Sequence, residues 1–169
     1  MEIRHARQSD VPTVMEIEPD ASMAYASLPD FEFCVDLPVR SRGEHAWARR
    51  EGLTLIAAMP EEAAGFVLVV PVDRRAHVLE IGVKRRWQKR AIGRALLKRV
   101  EQWALSAGFP SATLTTFRDP VWNAPFYRGI GYREIEVGPD RPGLLAVHAA
   151  ERAAERMPHL AMENSLLRS

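Results

Sequence analysis

The sequence predicts an α/β (α+β) domain built on a mixed, mostly antiparallel central sheet of about six to seven strands with helices on both faces. Two observations support this prediction. Short runs rich in β-branched residues recur along the chain, and they first form a hairpin cluster and then alternate with amphipathic helices. The predicted strands cover residues 2–7, 53–58, 64–70, 77–83, 111–116, 132–136 and 159–164.

Caps and apolar periodicity place the helices. The first helix begins at Ser9 or Asp10, and its apolar face is interrupted by Glu18. Glu18 lies either at the edge of that face, as carboxylates commonly do, or points into a substrate pocket. Shorter helices are predicted over residues 44–50, 123–128 and 144–156.

The longest predicted helix follows a short apolar strand, residues 77–83, through a basic turn. Its apolar residues fall on one face, with Arg99 as the single exception, and Gly108 supplies its end. The start of a helix offers unpaired backbone N–H groups and the positive end of the helix dipole. Ala91 and Gly93 leave room there for an approaching anion. This arrangement predicts a phosphate-binding site.

Length and composition narrow the classes of protein. The 169 residues suit one domain, spanning 1–169, and a content of 47% apolar and 27% charged residues is typical of a globular chain. The net charge of +1 argues against a globally basic nucleic-acid binder, although residues 81–100 hold eight Lys or Arg and no acid. A local basic patch of this kind favours a small polyanion.

The single cysteine, Cys34, excludes an internal disulfide framework and fits a reducing compartment. The N-terminal residues do not read as a signal peptide, and the longest apolar run, residues 63–72, is too short to span a bilayer. We therefore expect a cytoplasmic protein. The five histidines lack metal-ligand spacing, so no metal is expected.

Two motifs carry a resemblance to a known family. Residues 88–93 read Gln-Lys-Arg-Ala-Ile-Gly, which resembles the pyrophosphate loop of the GNAT superfamily of N-acetyltransferases. The family pattern there is Gln or Arg, two residues, Gly, one residue, then Gly or Ala. Ala91 stands where the family usually has glycine, and its methyl group is tolerable if the backbone angles are helical.

The second motif covers residues 122–127, which read Trp-Asn-Ala-Pro-Phe-Tyr, and the Gly131-Tyr132 pair that follows. It resembles a branch of the same family with that reading. Both motifs stand in the family's order, and the resemblance covers nearly the whole chain, least well at residues 20–43. The resemblance implies the GNAT acyl-CoA N-acyltransferase fold and an acetyl-CoA-dependent N-acetyltransferase.

The resemblance also implies where acetyl-CoA binds. Its pyrophosphate is expected on the backbone N–H groups of the loop and helix start, and its pantetheine arm along the end of the preceding strand. The implied binding residues are Ile81, Gly82, Val83, Gln88, Lys89, Arg90, Ala91, Ile92, Gly93 and Arg94. A glycine within a strand, here Gly82, often marks close approach by a ligand or another backbone. A backbone N–H near Ile81 to Val83 is expected to polarise the thioester carbonyl.

Glu80 is the predicted general base. An amine acceptor is mostly protonated at neutral pH, with a reference pKa of ~10.4, so a base must take its proton. By strand alternation Glu80 shares a face with Val78 and Gly82. It matches a glutamate that several GNAT enzymes carry three residues before Val83, where it acts through a water. The alternative is a structural pairing with an arginine or a partly exposed edge.

Tyr127 is the predicted acid that returns a proton to the thiolate, and the alternative is a core tyrosine that anchors the short helix. Asn123 either hydrogen-bonds the pantetheine amide or caps that helix. Cys34 is not expected to carry the acetyl group, because no histidine stands near it in a recognised arrangement. The implied route is direct attack by the amine within a ternary complex.

Two other functions stay open on the sequence alone. One is a catalytically silent acyl-CoA sensor on the same fold, and the other is a nucleic-acid-binding module that uses the basic residues 83–99. The latter lacks an aromatic base-stacking platform. The acceptor is expected to be a small-molecule or peptide amine, with no nucleic-acid or membrane partner, and the chain a monomer or homodimer.

Overall fold

The computed structural model describes residues 1–154 and 157–167. Within those residues the chain forms seven β-strands and five α-helices. The strands are β1 (Glu2–His5), β2 (Leu53–Ala58), β3 (Ala63–Val72), β4 (Arg75–Val83), β5 (Ser111–Phe117), β6 (Arg133–Ile135) and β7 (His159–Ser165). The helices are α1 (Val11–Ser22), α2 (Arg42–Glu51), α3 (Ile92–Ser106), α4 (Ala124–Arg128) and α5 (Pro142–Ala154).

The strands follow the hydrogen-bonded order β1-β2-β3-β4-β5-β7-β6. β1 with β2, β2 with β3, β5 with β7 and β6 with β7 run antiparallel, whereas β4 and β5 are parallel. This confirms the predicted mixed, mostly antiparallel sheet. The pairing of β4 with β5 extends from Ala76↔Ala112 to Val78↔Leu114, although β4 itself continues to Val83.

The chain divides into two compact units, Met1–Val70 with Leu79–Val100 and Pro71–Val78 with Glu101–Ser169. The first unit contains β1, β2, most of β3, the end of β4, α1 and α2. The second unit contains the β3–β4 turn, β5, β6, β7, α4 and α5. Among residues 1–154 and 157–167, no helix has the length and apolarity needed to cross a membrane.

In the first unit, the sequence indicated where α1 starts but not where it ends. Its buried face consists of Val11, Val14, Ile17 and Glu18. Pro12 lies in the first turn, where its missing N–H is not needed. The helix then continues through Pro19 to Ser22. Short 3-10 turns follow at Met23–Tyr25 and Glu32–Asp36.

The start of α2 is fixed by a capping box that the sequence analysis overlooked. Oγ of Ser41 accepts the amide N–H of Glu44 at 3.3 Å, and Oε2 of Glu44 accepts the amide N–H of Ser41 at 2.7 Å. The helix therefore begins two residues before the predicted start. It ends at Gly52, where a Cβ atom would lie 2.0 Å from the carbonyl oxygen of Val69, so only glycine fits against β3.

α3 buries most of the predicted apolar face and has the predicted end. Its buried residues are Ile92, Leu96, Leu97, Val100 and Ala104. Arg99, the exception in the pattern, is exposed. Gly108 follows the helix with φ of 81°, the left-handed conformation that ends many helices.

Several predicted boundaries differ from the structure, those of β1, β6 and α5 among them. β1 stops at His5, because the chain enters a 3-10 turn after Arg7. β6 covers only Arg133–Ile135. α5 begins at Pro142, two residues before the predicted start, and the predicted last residues of that helix, 155 and 156, lie outside the described residues.

In the second unit, the turn between β3 and β4 also caps α5. Asp73 and Arg74 join the two strands with φ of 47° and 60°, as a two-residue type I′ hairpin requires. The Asp73 carboxylate accepts the amide N–H of Gly143 at 3.0 Å and that of Leu144 at 2.8 Å. These amides lie in the first turn of α5, so a residue distant in the chain supplies the cap.

We expect Asp73→Gly to lower the free energy of unfolding by about 1–2 kcal/mol relative to Arg74→Gly. Both changes place glycine at a left-handed residue, but only the first removes the cap of α5. Urea unfolding of the two variants and the wild type measures the difference. Equal stabilities of the two variants would show that the capping bonds contribute nothing.

Candidate active site

The face of β4 that carries Glu80 packs toward α1 and β3. A Cβ atom built on Gly82 would lie 2.8 Å from Cε1 of Phe66 and 3.4 Å from Cβ of Ala21. Because side chains alternate along a strand, Gly82 and Glu80 share this face. The structure thus gives Gly82 an internal packing reason, independent of the ligand approach that the sequence predicted.

Glu80 is held by Arg40. Nε of Arg40 donates to Oε2 of Glu80 across 2.7 Å, and Nη2 reaches the carbonyl oxygen of Leu79 at 3.5 Å. The Glu80 side chain is 29% exposed. This is the structural pairing with an arginine that the sequence left open as the alternative to a catalytic role for Glu80. Among the described residues, none donates a hydrogen bond to the other carboxylate oxygen, Oε1.

Glu18 is buried on the same side of β4, so it does not lie at an exposed helix edge. Its Oε2 accepts the main-chain N–H of Arg40 at 2.9 Å. Its Oε1 lies 2.6 Å from Nε2 of His45, a close contact without the alignment of a hydrogen bond. His45, on α2, has a side chain 2% exposed and contacts the Phe66 ring edge-on.

These surroundings change the proton affinity of Glu80. Burial raises the pKa of Glu80 to about 7, and the nearby Glu18 carboxylate acts in the same direction. The Arg40 guanidinium and His45 oppose that rise. A carboxyl with a pKa near neutrality suits general acid–base chemistry. The sequence indicated a carboxylate within an apolar strand, but nothing in it pointed to the partners around that carboxylate.

The amides at the end of β4 alternate between the two edges of the strand. The amide of Lys84 donates to the carbonyl oxygen of Ala64 on β3 at 2.9 Å. The amide of Val83, the preceding residue, therefore faces the other edge. It is one of the donors that the sequence analysis assigned to a thioester carbonyl.

The loop before α3 has a left-handed backbone at two residues. Lys89 and Ala91 have φ of 59° and 58°. The condition that Ala91 has right-handed helical angles is therefore not met. Glycine at this position of the family pattern has a direct steric reason, because a Cβ atom is disfavoured there. When left-handed residues alternate with right-handed ones, successive amide N–H groups point toward the same side and form an anion-binding concavity called a nest.

The start of α3 adds further amide donors. The amide of Ala95 donates to the carbonyl oxygen of Ala91 at 3.0 Å, so the amides of Ile92, Gly93 and Arg94 precede the helical hydrogen-bond ladder. They lie at the positive end of the helix dipole. The loop is tied to β4 by its first residue, because Nε2 of Gln88 donates to the carbonyl oxygen of Val83 at 3.0 Å.

Part of the basic turn is neutralised by Glu62, which the sequence analysis missed. The Glu62 carboxylate accepts hydrogen bonds from Nζ of Lys84 at 2.7 Å, from the guanidinium of Arg86 and from the indole N–H of Trp87. These bonds, that of Lys84 above all, lower the pKa of Glu62 to about 2. An acid in the turn between β2 and β3 carries no sequence pattern that would have identified this role.

Other cations around the loop face solvent. Lys89, Arg90 and Arg94 are exposed, and the Arg90 guanidinium lies over the Trp87 ring, 4.8 Å from its centroid. A cavity of about 450 Å³ adjoins the basic turn, and charges of both signs line it. Its lining residues are Glu16, Asp20, Glu62, Lys84, Arg85 and Arg86.

Tyr127 and Asn123 belong to the second unit. Tyr127 is 8% exposed, and its ring contacts those of Phe126 and Tyr132 edge-on. Asn123 occupies the N-cap position of α4, but its side chain makes no capping bond. Its Nδ2 donates instead to Oγ1 of Thr116 at 2.8 Å. The capping alternative is therefore wrong, and the side chain links the start of α4 to β5.

The predicted site residues thus fall into two sets. Glu80, the edge amides of β4 and the loop of residues 88–94 lie in the first unit, whereas Tyr127 and Asn123 lie in the second. The first set combines a carboxyl of near-neutral pKa with donors suited to an anion and to a developing oxyanion. In the part of the chain that the structure describes, no group of three or more His, Cys, Asp or Glu is placed to hold a metal ion.

Comparison with solved structures finds the same fold in acetyltransferases. The ribosomal-protein-S18-alanine N-acetyltransferase from Escherichia coli is 16% identical with a TM-score of 0.72, covering 99% of this chain and 95% of that one. The protein Rv2747 from Mycobacterium tuberculosis, in complex with CoA, is 20% identical with a TM-score of 0.72, covering 99% and 100%. The PaiA N-acetyltransferase from Thermoplasma acidophilum, in complex with coenzyme A, is 18% identical with a TM-score of 0.71, covering 97% and 98%.

Comparison with protein families adds a match in sequence to this likeness in fold. Residues 15–132 match the family described as the acetyltransferase (GNAT) family. That range includes Glu80, the loop before α3 and both sequence motifs. Since it makes up more than half of the 169 residues, the chain belongs to the GNAT family of acetyltransferases.

Proposed function

We propose that this protein transfers an acetyl group from acetyl-CoA to a primary amine, by direct attack of the amine within a ternary complex. The observation that carries the proposal is Glu80, a carboxyl with a pKa of about 7 on the strand that leads into the loop before α3. A proton acceptor and a set of amide donors suited to a diphosphate thus belong to one continuous segment of the first unit.

The loop fits the diphosphate of coenzyme A. A diphosphate requires several donors and a positive field, which the amides of residues 89–94 and the exposed Lys89 and Arg94 supply. The bound coenzyme contributes the acetyl group as a thioester. We assign its binding to Ile81, Gly82 and Val83 along β4, to Gln88, Lys89, Arg90 and Ala91 in the loop, and to Ile92, Gly93 and Arg94 at the helix start.

Glu80 is assigned the role of general base. The acceptor binds mainly as an ammonium ion, since the pKa of an alkyl amine is ~10.4. Oε1 of Glu80, the oxygen that Arg40 leaves uncovered, takes a proton from it directly or through a water. The amides of Ile81 and Val83 are assigned to the thioester oxygen, where they stabilise the negative charge that develops during attack.

Tyr127 is assigned the role of the acid that protonates the departing thiolate. A thiol has a reference pKa of ~8.5, so the thiolate takes up a proton at neutral pH. Asn123 is assigned to the pantetheine amide. Both assignments are supported by the motif over residues 122–127, which lies within the part of the chain that matches the family. The bond from Asn123 to Thr116 fixes the side chain at the start of α4.

The acceptor is proposed to be a small-molecule or peptide amine. Solved structures with the same fold include a ribosomal-protein-S18-alanine N-acetyltransferase and an aminoglycoside 6'-acetyltransferase, so the fold serves amines of both kinds. We propose no nucleic-acid or membrane partner, a cytoplasmic location, and a monomer or homodimer.

The ion pair between Arg40 and Glu80 favours one rival function. In that function Glu80 is purely structural, and the protein is a catalytically silent acyl-CoA sensor. Such a sensor binds coenzyme A but releases no thiol in the presence of amines.

The deciding experiment incubates the protein with acetyl-CoA and a panel of amines and follows the release of free thiol. We expect turnover with at least one amine, and Glu80→Gln and Tyr127→Phe to lower kcat about 10²–10⁴-fold. Glu61→Gln, an exposed carboxylate, and Tyr132→Phe, a buried hydroxyl without a hydrogen-bond partner among the described residues, serve as matched controls. Coenzyme-dependent stabilisation without transfer to any amine would identify the silent sensor.

The pH dependence tests Glu80 as the base. Since the pKa of Glu80 is about 7, we expect kcat/KM to fall about tenfold per pH unit below that value, where the carboxyl is protonated. The fall is measured with one acceptor between about pH 5 and 9, and Glu80→Gln should lack it. An acidic limb that persists unchanged in Glu80→Gln would assign the base to another group.

The left-handed backbone of the loop predicts that Ala91→Gly stabilises the protein by about 0.5–1 kcal/mol, because glycine removes the strain of a Cβ atom at positive φ. Ala95→Gly, inside α3, is the matched control and should destabilise by about 1 kcal/mol. Thermal unfolding measures both changes. Equal losses in the two variants would contradict a left-handed Ala91.

A further inference from the structure

Arg40 donates hydrogen bonds to two carboxylates in different ways. Its main-chain N–H donates to Oε2 of Glu18 at 2.9 Å, and Nε of its guanidinium donates to Oε2 of Glu80 at 2.7 Å. Arg40 lies in the irregular segment between a 3-10 turn and α2, where no helix or strand fixes the backbone. The hydrogen bond that the Arg40 N–H donates to Glu18 therefore fixes the backbone position from which the guanidinium reaches β4.

Glu18 is itself firmly placed. Its side chain is 4% exposed, it projects from α1, and it contacts His45 of α2. On the outer side of the guanidinium, Nη1 of Arg40 lies 3.7 Å from Oε1 of Glu44, whose side chain is 53% exposed. Among the described residues, the charged and titratable groups that act on Glu80 are Glu18 from α1, Arg40 from the connecting segment and His45 from α2, and Glu44 of α2 lies beyond Arg40.

We propose that Arg40 and Glu18 are positioning residues for acetyl transfer. Glu18 fixes the main chain of Arg40, and Arg40 occupies Oε2 of Glu80, so that Oε1 is the oxygen presented to the amine. This inference rests on the function proposed above and extends it to residues that do not touch the reacting atoms. Neither residue belongs to the two motifs that the sequence analysis recognised.

The two residues act on Glu80 with opposite sign. The Glu18 carboxylate raises the pKa of Glu80, because two negative charges repel, and the Arg40 guanidinium lowers it. Removing the Glu18 charge should therefore lower the pKa of Glu80, and removing the Arg40 charge should raise it. General damage to the fold would not produce opposite shifts.

The variants separate charge from geometry. Glu18→Gln keeps an oxygen for the Arg40 amide but removes the negative charge. Arg40→Gln removes the cation, and Arg40→Lys keeps it but loses the planar guanidinium. Arg42→Gln is the matched control, because it removes the same charge two residues away from an exposed side chain at the start of α2.

Two readouts are combined. One is the acidic limb of kcat/KM, and the other is the titration of the Glu80 carboxyl by ¹³C NMR, with its resonance assigned from Glu80→Gln. We expect both to move about one pH unit lower in Glu18→Gln and about one unit higher in Arg40→Gln. Arg40→Lys should keep the limb near its wild-type position while kcat falls about tenfold. Arg42→Gln should change neither.

Several outcomes would overturn the inference. They are shifts of the same sign in Glu18→Gln and Arg40→Gln, a Glu80 titration that neither change moves, and an NMR shift that the rate profile does not follow. Failure of the proposed function looks different, because the wild type then acetylates no amine. In that case the NMR titration alone decides whether Arg40 and Glu18 control Glu80. Thermal unfolding with and without coenzyme A confirms that each variant is folded.

Discussion

The candidate site depends on the packing of a buried carboxylate, Glu18, and a partly buried one, Glu80, against one arginine. Moving a carboxylate out of water costs several kcal/mol, and an adjacent carboxylate adds repulsion. Glu18 and Glu80 both approach Arg40, one at its amide and the other at its guanidinium. Keeping a proton on one of them lowers this cost, which is why the pKa of Glu80 rises to about 7. A proton acceptor that operates near neutrality is thus a consequence of how α1 and the segment before α2 pack on β4.

In the loop before α3, the donors available to an anion come mainly from the main chain. Lys84 and Arg86 form ion pairs with Glu62, which neutralises part of their positive charge. They therefore attract an approaching anion less strongly than two unpaired cations would. Lys89 and Ala91 adopt left-handed angles that are costly for residues with a side chain, and those angles turn successive amides to one side. Donors held in this way need no reorganisation when an anion binds.

Local sequence information was sufficient for the sheet, for α3 and for the position of the loop, because periodicity and motif spacing report on neighbouring residues. β2 was predicted with its observed bounds, Leu53–Ala58. The partners of the site were not predictable in this way. Arg40 is separated by 40 residues from Glu80, and Glu62 by 22 residues from Lys84, so only tertiary packing brings them together. The unexpected conformation of Ala91 was partly readable, since a glycine in the family pattern indicates positive φ.

The cap of α5 has a consequence for how the protein is made. Asp73 precedes the amides that it binds by about 70 residues. During synthesis the β3–β4 turn leaves the ribosome well before Pro142 and can form as a local hairpin within microseconds. The first turn of α5 can bind the Asp73 carboxylate only after a long loop has closed. Contacts between residues so far apart in sequence form late, because closing the loop costs entropy. Docking of α5 is therefore a late event in folding, and a nascent chain that stalls between β5 and β6 already contains the capping aspartate but not the helix that it caps.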